Sequence, residues 1–407
     1  MTVTGITEKQ RLKTRKPKSY PTPKNSLSMK MKKLFPLLFL ICFSASAELE
    51  VHEWGSINIV TGQKQLVVGD IADDQSDLPH FVEVWSSQAQ LRPIMIEKPI
   101  LYFYTDTKQT VSVTVNYPNG IFTQWWPTPN TFSPRHLAPN APLPENNGQL
   151  QWHVTLDPTD AADNQLPPME DHIWWPIARE VDAATVISSA GGTEKFLFYR
   201  GAGTFTPTLK VDISDQGAFL LSNTENATSR EIYTVQVENG KDPQITYLPA
   251  LSAAPLLLKN ADAASKHLQS RLEEKGLFPK EAAGMVSIWK KAMFEAPGQR
   301  AMYMMEKEDI DKMLPLNIHP APEKTVRAFL IRFECLSPGV KSDLEAWIAQ
   351  LGASSYQERK EAEKKLMETG RLGEAVMRSA LENTKDPEIK KSLKQILKAI
   401  TPRNPNP

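Results

Sequence analysis

The sequence predicts an α+β protein, in which a β-rich, sandwich-like body precedes a mixed α/β segment and an all-α helical-repeat tail. Three observations favour this fold class. Residues 48–250 contain many short strand-like runs that are separated by Pro and Gly. Residues 251–340 alternate helical and strand patterns, and we expect them to complete the body. Residues 341–400 carry apolar side chains at helical spacing, with Lys and Glu on the opposite face.

Ahead of the body, residues 29–47 have the pattern of a signal peptide. A basic start leads into the apolar run 34–43 and then into the small residues Ala45, Ser46 and Ala47. We therefore expect cleavage after Ala47 and a secreted or periplasmic protein. A transmembrane anchor is not expected, because a helix needs roughly 20 apolar residues to cross a bilayer. The Lys-, Pro- and Ser-rich residues 1–28 are interpreted as a disordered extension or a mis-assigned start.

Removal of this leader changes the charge of the protein. The 407 residues contain 47 Lys+Arg and 47 Asp+Glu, whereas residues 48–407 contain 37 and 46, a formal charge of −9. Phosphate contacts need clusters of Lys and Arg, so nucleic acid is not an expected partner. Cys42 leaves with the leader, so Cys335 is the one remaining thiol and no internal disulfide is expected.

The strand patterns of the body follow one another at short intervals. Pro118-Asn119-Gly120 has the composition of a hairpin turn, because Asn and Gly readily take the positive φ that such turns require. The Pro-rich stretch 127–150 predicts a long loop, and loops of that length in a compact domain are often functional. The expected strands are Glu50–Trp54, Pro99–Tyr104, Val111–Tyr117, Ile121–Trp126, Gln151–Leu156, Lys195–Tyr199, Phe219–Ser222 and Ile232–Val237.

Helix signals dominate the C-terminal half of the chain. A helix over Asp262–Lys275 is expected to end at Gly276, and Pro279 is expected to open a second helix to about Phe294. A short helix over Asp309–Leu314 lies between two expected strands. Those strands are Arg300–Met305 and Thr325–Leu336.

The tail predicts four short amphipathic helices, which make about two helical hairpins. Capping boxes are expected at Ser342 and Ser355, and Asp386 precedes a proline at the first helical position. Gly352 and Gly370 are expected to end the first two helices. Two such repeats are marginal alone, so we expect them to dock on the body or on a partner. Residues 401–407 are interpreted as a disordered end.

Candidate binding residues are concentrated in the body. Adjacent residues of a strand face opposite sides, so each Trp doublet is expected to leave one indole exposed for stacking on a sugar ring. Packing in the core is the alternative role of these side chains. The candidates are His52, Trp54, Trp125, Trp126, Trp174, Trp175 and Arg200.

Candidate catalytic residues are the carboxylates Glu53, Glu97 and Glu194, with Asp182 as a further acid. Hydrolysis of a glycoside needs two carboxyl groups a few ångströms apart, which sequence spacing alone does not reveal. The chain lacks HExxH, GxSxG and phosphate-loop motifs, and Cys335 lies in an apolar run typical of core. We therefore predict no metal site and no cofactor.

Several ordered segments show a family resemblance. They are VHEWG at 51–55, LPHFV at 78–82, IEKPILYFY at 96–104, YPNGIFTQWWP at 117–127, AREVDAA at 178–184, EKFLFYRGAG at 194–203, GLFPKEAAGMVSIW at 276–289 and LPLNIHPAP at 314–322. Through them the chain resembles a family of uncharacterised secreted bacterial proteins, of planctomycete, verrucomicrobial and myxobacterial type. Residues 351–382 are similar to HEAT-like helical modules, which implies protein contacts. The resemblance carries no activity, cofactor or catalytic residue.

These observations favour an exported, non-catalytic protein that binds a glycan, a cell-envelope component or a protein. One alternative is an extracellular carbohydrate hydrolase that uses Glu53, Glu97 or Glu194 near the Trp-rich surface. Another is a scaffold that acts through the helical tail. Convergence of these three carboxylates with His52 and Arg200 in one pocket would favour the enzyme.

Overall fold

The structure is a computed structural model, which describes most of the chain after the expected leader. The described residues are 48–61, 78–84, 94–135, 147–169, 174–224, 228–238 and 240–400. The predicted leader and extension, 1–47, the predicted disordered end, 401–407, and residues 136–146 of the predicted loop lie outside them. Within the described ranges, no helix is both long and apolar enough to cross a membrane.

The described residues form an α+β protein with strands throughout its first three quarters. The strands are β1 (Glu50–Thr61), β2 (Glu83–Val84), β3 (Ile94–Tyr104), β4 (Gln109–Tyr117), β5 (Gly120–Trp126), β6 (Thr131–Ser133), β7 (Gly148–Asp157), β8 (Thr185–Ser188), β9 (Thr193–Glu194), β10 (Leu197–Gly203), β11 (Leu209–Ile213), β12 (Phe219–Asn223), β13 (Arg230–Val237), β14 (Gln244–Ala250), β15 (Leu256–Leu258), β16 (Gly298–Met304), β17 (Leu316–His319) and β18 (Lys324–Cys335).

The helices lie mainly in the second half of the chain. They are α1 (Asp160–Asp163), α2 (Trp175–Arg179), α3 (Ala261–Glu274), α4 (Pro279–Lys290), α5 (Lys307–Met313), α6 (Pro338–Gln350), α7 (Tyr356–Glu368), α8 (Glu374–Asn383) and α9 (Pro387–Ile400). Helix α4 continues as a π-helical turn over Lys291–Glu295. Gly276 follows α3 with φ +108°, the left-handed conformation predicted for the end of that helix.

Most strands belong to two sheets. The larger one has ten strands in the order β15-β14-β13-β16-β18-β1-β3-β10-β5-β2. Strands β1 and β18 pair in parallel at its centre, whereas the neighbouring pairs are antiparallel. The smaller sheet has the order β17-β4-β7-β8-β9, with β6 also paired to β7. Because β16 and β18 are central, the segment after residue 251 completes the sheet of the body.

The ten-stranded sheet has a hydrophobic cluster on each face. The first cluster takes side chains from both sheets, including Val51 of β1, Val113 of β4 and Trp152 of β7. The second cluster takes Trp54 of β1 on the opposite face, together with side chains of α2, α3 and α4. Both faces of the central strands are therefore buried, as near-continuous apolar runs predict.

The turn at Pro118-Asn119-Gly120 has a different role from the predicted one. The strands on either side of it, β4 and β5, do not pair with each other but belong to different sheets. Strand β4 pairs with β7 and β17, and β5 pairs with β2 and β10. The hairpin prediction is wrong because turn residues set a chain reversal, while the burial of each strand decides its partner.

The tail forms a hydrophobic cluster of its own, which is separate from the two clusters of the body. Helix α6 packs on α7 and α8, and α9 packs on α7 and α8. Ser355 caps α7 by accepting from the Glu358 backbone, which is one half of the predicted capping box, and Asp386 accepts from the first turn of α9, as predicted. The capping box predicted at Ser342 is wrong, since Ser337 caps α6 and Ser342 lies inside that helix.

Candidate functional site

Glu53 lies in a buried network between the two sheets. Its Oε2 accepts a hydrogen bond of 2.6 Å from Arg327 Nε, and its Oε1 accepts from the Tyr199 hydroxyl. Arg327 Nη1 also donates at 2.8 Å to Asp311 Oδ1 and at 2.8 Å to the Leu314 carbonyl. Burial lowers the pKa of Arg327, but the neighbouring Glu53 outweighs this and raises it above its ordinary value. This carboxylate therefore balances a buried guanidinium.

Glu194 belongs to a second buried network. It accepts from Arg179 Nε at 2.7 Å and from Arg179 Nη2 at 2.6 Å, which is a bidentate ion pair. Trp175 Nε1 donates to the same carboxylate at 2.9 Å. Glu97 lies on β3, opposite Ser56 of β1, and the structure does not describe its side chain. Asp182 is exposed and pairs with Lys280.

His52 faces away from Glu53, on the side of the sheet that packs against helices. Its Nδ1 lies 2.6 Å from Glu281 Oε2, and its Nε2 lies 2.7 Å from Glu50 Oε1. Carboxylate oxygens only accept hydrogen bonds, so this geometry suits an imidazolium that donates from both nitrogens. Glu281 also accepts from the Phe278 backbone at 2.8 Å, which caps α4. His52 thus ties β1 to the start of this helix.

Glu50 lies at the surface end of this chain of contacts. Its carboxyl group makes the stability that these contacts provide depend on pH. Burial raises the pKa of Glu50, but hydrogen bonds from Lys324 and His52 outweigh burial and hold that pKa below its ordinary value. A carboxyl group with a lowered pKa in the folded state stabilises the fold above its unfolded pKa of about 4.3. That contribution is lost as the pH falls through the folded pKa.

We expect Lys324→Met to reduce the free energy of unfolding by up to about 1 kcal/mol near pH 7, because Lys324 is largely exposed. The difference from the wild type should close as the pH falls through the folded pKa of Glu50, which lies below its ordinary value, because Glu50 is then protonated in both proteins. Urea unfolding from pH 3 to 8 measures it. Lys266→Met, at an exposed position of α3, is the control, and a pH-independent loss in Lys324→Met would contradict the assignment.

The predicted binding tryptophans are mostly buried. Trp54, Trp125, Trp174 and Trp175 are each at most 3 % exposed, and Trp126 is half-buried. The expectation of one exposed indole is wrong for the second doublet, because Trp174 and Trp175 begin helix α2 instead of lying on a strand. Trp54 packs edge-on against Trp289, and Trp126 packs against Phe81. These four buried indoles present no open face to a sugar.

A set of buried polar side chains lies on the same face of the ten-stranded sheet as His52. These side chains belong to five strands, β1, β5, β10, β16 and β18, and each residue is at most 8 % exposed. The set is named the polar row and consists of Ser56, Asn58, Gln124, Arg200, Arg300, Arg332 and Glu334.

Strand alternation and register put the polar row on one face. Leu330 of β18 belongs to the second cluster, so Arg332 and Glu334 point to the same side. Asn58 of β1 is in register with Arg332, and Arg300 of β16 is in register with Glu334. The same face continues through β10 and β5, where two further members, Arg200 and Gln124, are in register.

Two groups of contacts in the row involve arginine side chains. Arg200 Nη1 donates to Gln124 Oε1 at 3.2 Å, and its guanidinium lies 5.9 Å from the Phe198 ring. Arg300 Nε donates to Glu334 Oε1 at 2.9 Å, and its Nη atoms donate to the carbonyls of Ala296 and Pro297 at the end of the π-helical turn. Guanidinium, amide and hydroxyl groups together suit a polar or anionic ligand.

Arg332 is bound less completely than Arg300. Its Nε lies 3.0 Å from Glu334 Oε1, but the two groups are not aligned as a hydrogen bond. Within the described part of the chain Arg332 donates no hydrogen bond, although it is only 4 % exposed. Burial of an incompletely paired guanidinium is costly, so this position differs from the closed networks around Glu53 and Glu194.

The structure therefore distributes the predicted site residues among separate networks. His52 and Glu53 face opposite sides of β1, as strand alternation predicts, and Glu194 is held by Arg179. Among the earlier candidates whose side chains the structure describes, Arg200 belongs to the polar row, and the backbone of Glu97 is in register with Ser56 of that row. Sequence reasoning missed the other members, although two charged residues spaced by two in the apolar run 326–335 were a usable signal.

Comparison of the chain with protein families, with curated proteins and with solved structures finds no match. The arrangement of the polar row is consequently the basis for a functional conclusion.

Proposed function

We propose that this is an exported, non-catalytic binding protein, which holds a glycan or another cell-envelope ligand against the polar row. The proposal includes cleavage after Ala47, a secreted or periplasmic location, and membership of the secreted bacterial family that the HEWG segment at 52–55 resembles. No nucleic acid and no cofactor take part in this function.

The polar row is the observation that carries the proposal. Its members lie on five strands of a sheet whose same face otherwise holds mainly apolar side chains, such as Trp54, Phe198 and Met302. A buried polar group without a hydrogen bond costs about 1–3 kcal/mol, so a fold that only needed stability would favour apolar side chains there. A ligand with many hydroxyl groups would supply acceptors to Arg332, the member of the row that donates no hydrogen bond to a described residue.

The carboxylate networks support a role without catalysis. Glu53 and Glu194 each accept from an arginine and from an aromatic side chain, and among the described residues the two carboxylates share no hydrogen-bond partner. A glycosidase needs one carboxyl group as acid and a second as nucleophile or base around the same bond. The hydrolase alternative stays a prediction, because it depends on two such groups acting together.

The finer description of the fold is part of the same proposal. We interpret the two sheets as a sandwich-like body, since side chains from both contribute to the first hydrophobic cluster. We interpret α6–α9 as a HEAT-like module of two helical hairpins, since α6 packs on α7, α8 on α9, and the two pairs on each other.

A scaffold role of the tail is the second candidate function. Helix α9 is amphipathic, and its apolar side chains belong to the separate cluster of the tail. Its outer face carries Lys390, Lys391, Lys394 and Lys398, all exposed. This lysine-rich face is suited to an acidic protein partner. Removal of the tail and substitution within the polar row are therefore expected to have different effects on binding.

Ligand-dependent thermal stabilisation of the full-length chain tests the proposal. The probes are soluble cell-wall oligosaccharides, both neutral and acidic. We expect at least one of them to raise the Tm, since a ligand that binds only the folded state stabilises that state. Gln124→Leu, a change within the polar row, should weaken the binding of that ligand about tenfold or more. Gln149→Leu, on β7 of the other sheet, should leave binding unchanged.

Absence of stabilisation by every oligosaccharide would contradict the proposal, as would equal binding by the two glutamine variants. A chain that lacks residues 341–407 separates the two candidates. It should keep the Tm shift if the polar row binds the ligand, and lose the shift if the tail does.

A further inference from the structure

We propose that Arg332 binds a carboxylate group of the ligand, at a point where Arg300, Glu334 and Arg332 leave one buried positive charge. This inference rests on the proposed function and assigns the ligand a chemical class, an acidic one.

Among the side chains that the structure describes around Glu334, the charges do not balance. Two guanidinium groups, 2 % and 4 % exposed, share the one carboxylate of Glu334, which is 8 % exposed. Arginine keeps its proton in proteins, so the excess charge cannot be removed by titration. A buried charge requires a partner, and one carboxylate of the ligand would supply one negative charge.

The hydrogen bonds show which arginine would take the ligand. Arg300 uses its Nε for Glu334 and its Nη atoms for two backbone carbonyls, so its donors are occupied. Arg332 has only the Nε contact with Glu334, and donates no hydrogen bond to any described residue. Its two Nη groups form a planar fork that matches the two oxygens of a carboxylate.

The neighbouring strand adds a hydrogen-bonding group beside this fork. Asn58 is 1 % exposed, lies in register with Arg332 on β1, and accepts a long hydrogen bond of 3.4 Å from Ser56. Adjacent strands lie about 4.8 Å apart, so an amide donor and a guanidinium can contact one small group together. A sugar acid offers a carboxylate and hydroxyl groups at this separation.

The single excess charge favours a carboxylate over a phosphate. A carboxylate carries one negative charge at pH 7, whereas a phosphate monoester carries about 1.5–2. The second charge of the phosphate would face Glu334 without a partner. Charge balance therefore assigns the site a carboxylate-bearing ligand.

Thermal unfolding of the full-length chain, at constant ionic strength, tests this inference with glucuronate, glucose and inorganic phosphate as probes. Glucuronate at about 100 times its Kd should raise the Tm by roughly 4 °C, and the other two should have little effect. Arg332→Met should abolish the glucuronate shift. Without ligand this variant should unfold at the wild-type Tm or above it, because it removes an unbalanced charge.

Arg300→Met is the matched control, and it should lower the Tm strongly because it breaks three contacts and leaves Glu334 with a weaker partner. If Arg332→Met lowered the Tm as much as Arg300→Met does, Arg332 would have a structural role, and the inference would be overturned. An equal shift with phosphate, or a glucuronate shift that survives in Arg332→Met, would also overturn it.

These outcomes are distinct from failure of the proposed function. Stabilisation by neutral oligosaccharides but not by glucuronate would leave a binding protein whose ligand is not acidic. Failure of every probe and every oligosaccharide would refute both.

Discussion

Glu53→Gln should reduce the free energy of unfolding by about 3–5 kcal/mol, because it leaves the guanidinium of Arg327 without its buried counter-charge. Arg327 and Glu53 are at most 1 % exposed at their side chains, and their ion pair lies between the two sheets. The remaining acidic partner, Asp311, is 40 % exposed and compensates only part of the charge. The amide oxygen of the introduced glutamine would still accept from Tyr199, so lost charge is the main change.

Urea unfolding of the full-length variant at pH 7 measures this effect. Asp182→Asn removes an acid that is 78 % exposed in its ion pair with Lys280, and should cost no more than about 1 kcal/mol. The double variant Glu53→Leu with Arg327→Leu should lose less stability than Glu53→Gln, because it removes both charges. A cost below about 1 kcal/mol for Glu53→Gln would show that the pair does not stabilise the fold.

The contrast between His52 and Glu53 shows what sequence alone can predict. Alternation along a strand is a local property, so their opposite orientations followed from the pattern Val51-His52-Glu53-Trp54. Their partners come from residues more than 200 positions away, namely Glu281 and Arg327. Contacts at that separation depend on strand order, which the sequence pattern did not reveal.

Strand order is also the reason that the polar row was missed. Its members lie on β1, β5, β10, β16 and β18, and the parallel pairing of β1 with β18 brings Asn58 beside Arg332. The turn at Asn119-Gly120 illustrates the same limit, because its chemistry predicted the reversal but not the change of sheet. Local signals located the elements, and long-range pairing assembled the candidate site.

The second large effect is expected at His52, where a small change removes the partner of a buried carboxylate. His52→Phe keeps an aromatic ring near Tyr104 and Phe278, whose rings lie 5.1 and 4.6 Å from the imidazole. Among the described residues, Glu281 would keep the hydrogen bond from the Phe278 backbone and the nearby Tyr104 hydroxyl, neither of which carries a positive charge. Since Glu281 is fully buried, we expect a loss of about 3–5 kcal/mol.

A double-mutant cycle distinguishes this ion pair from simple packing. Glu281→Leu alone should also destabilise the protein, because Glu50 is then the one described residue that hydrogen-bonds to His52. His52→Phe with Glu281→Leu should be more stable than the sum of the two single losses predicts, by about 1–3 kcal/mol. Additive losses, measured by urea unfolding at pH 7, would contradict the pairing. A positive coupling would show that the HEWG segment stabilises the fold by linking β1 to α4, a structural role that leaves ligand binding to the polar row.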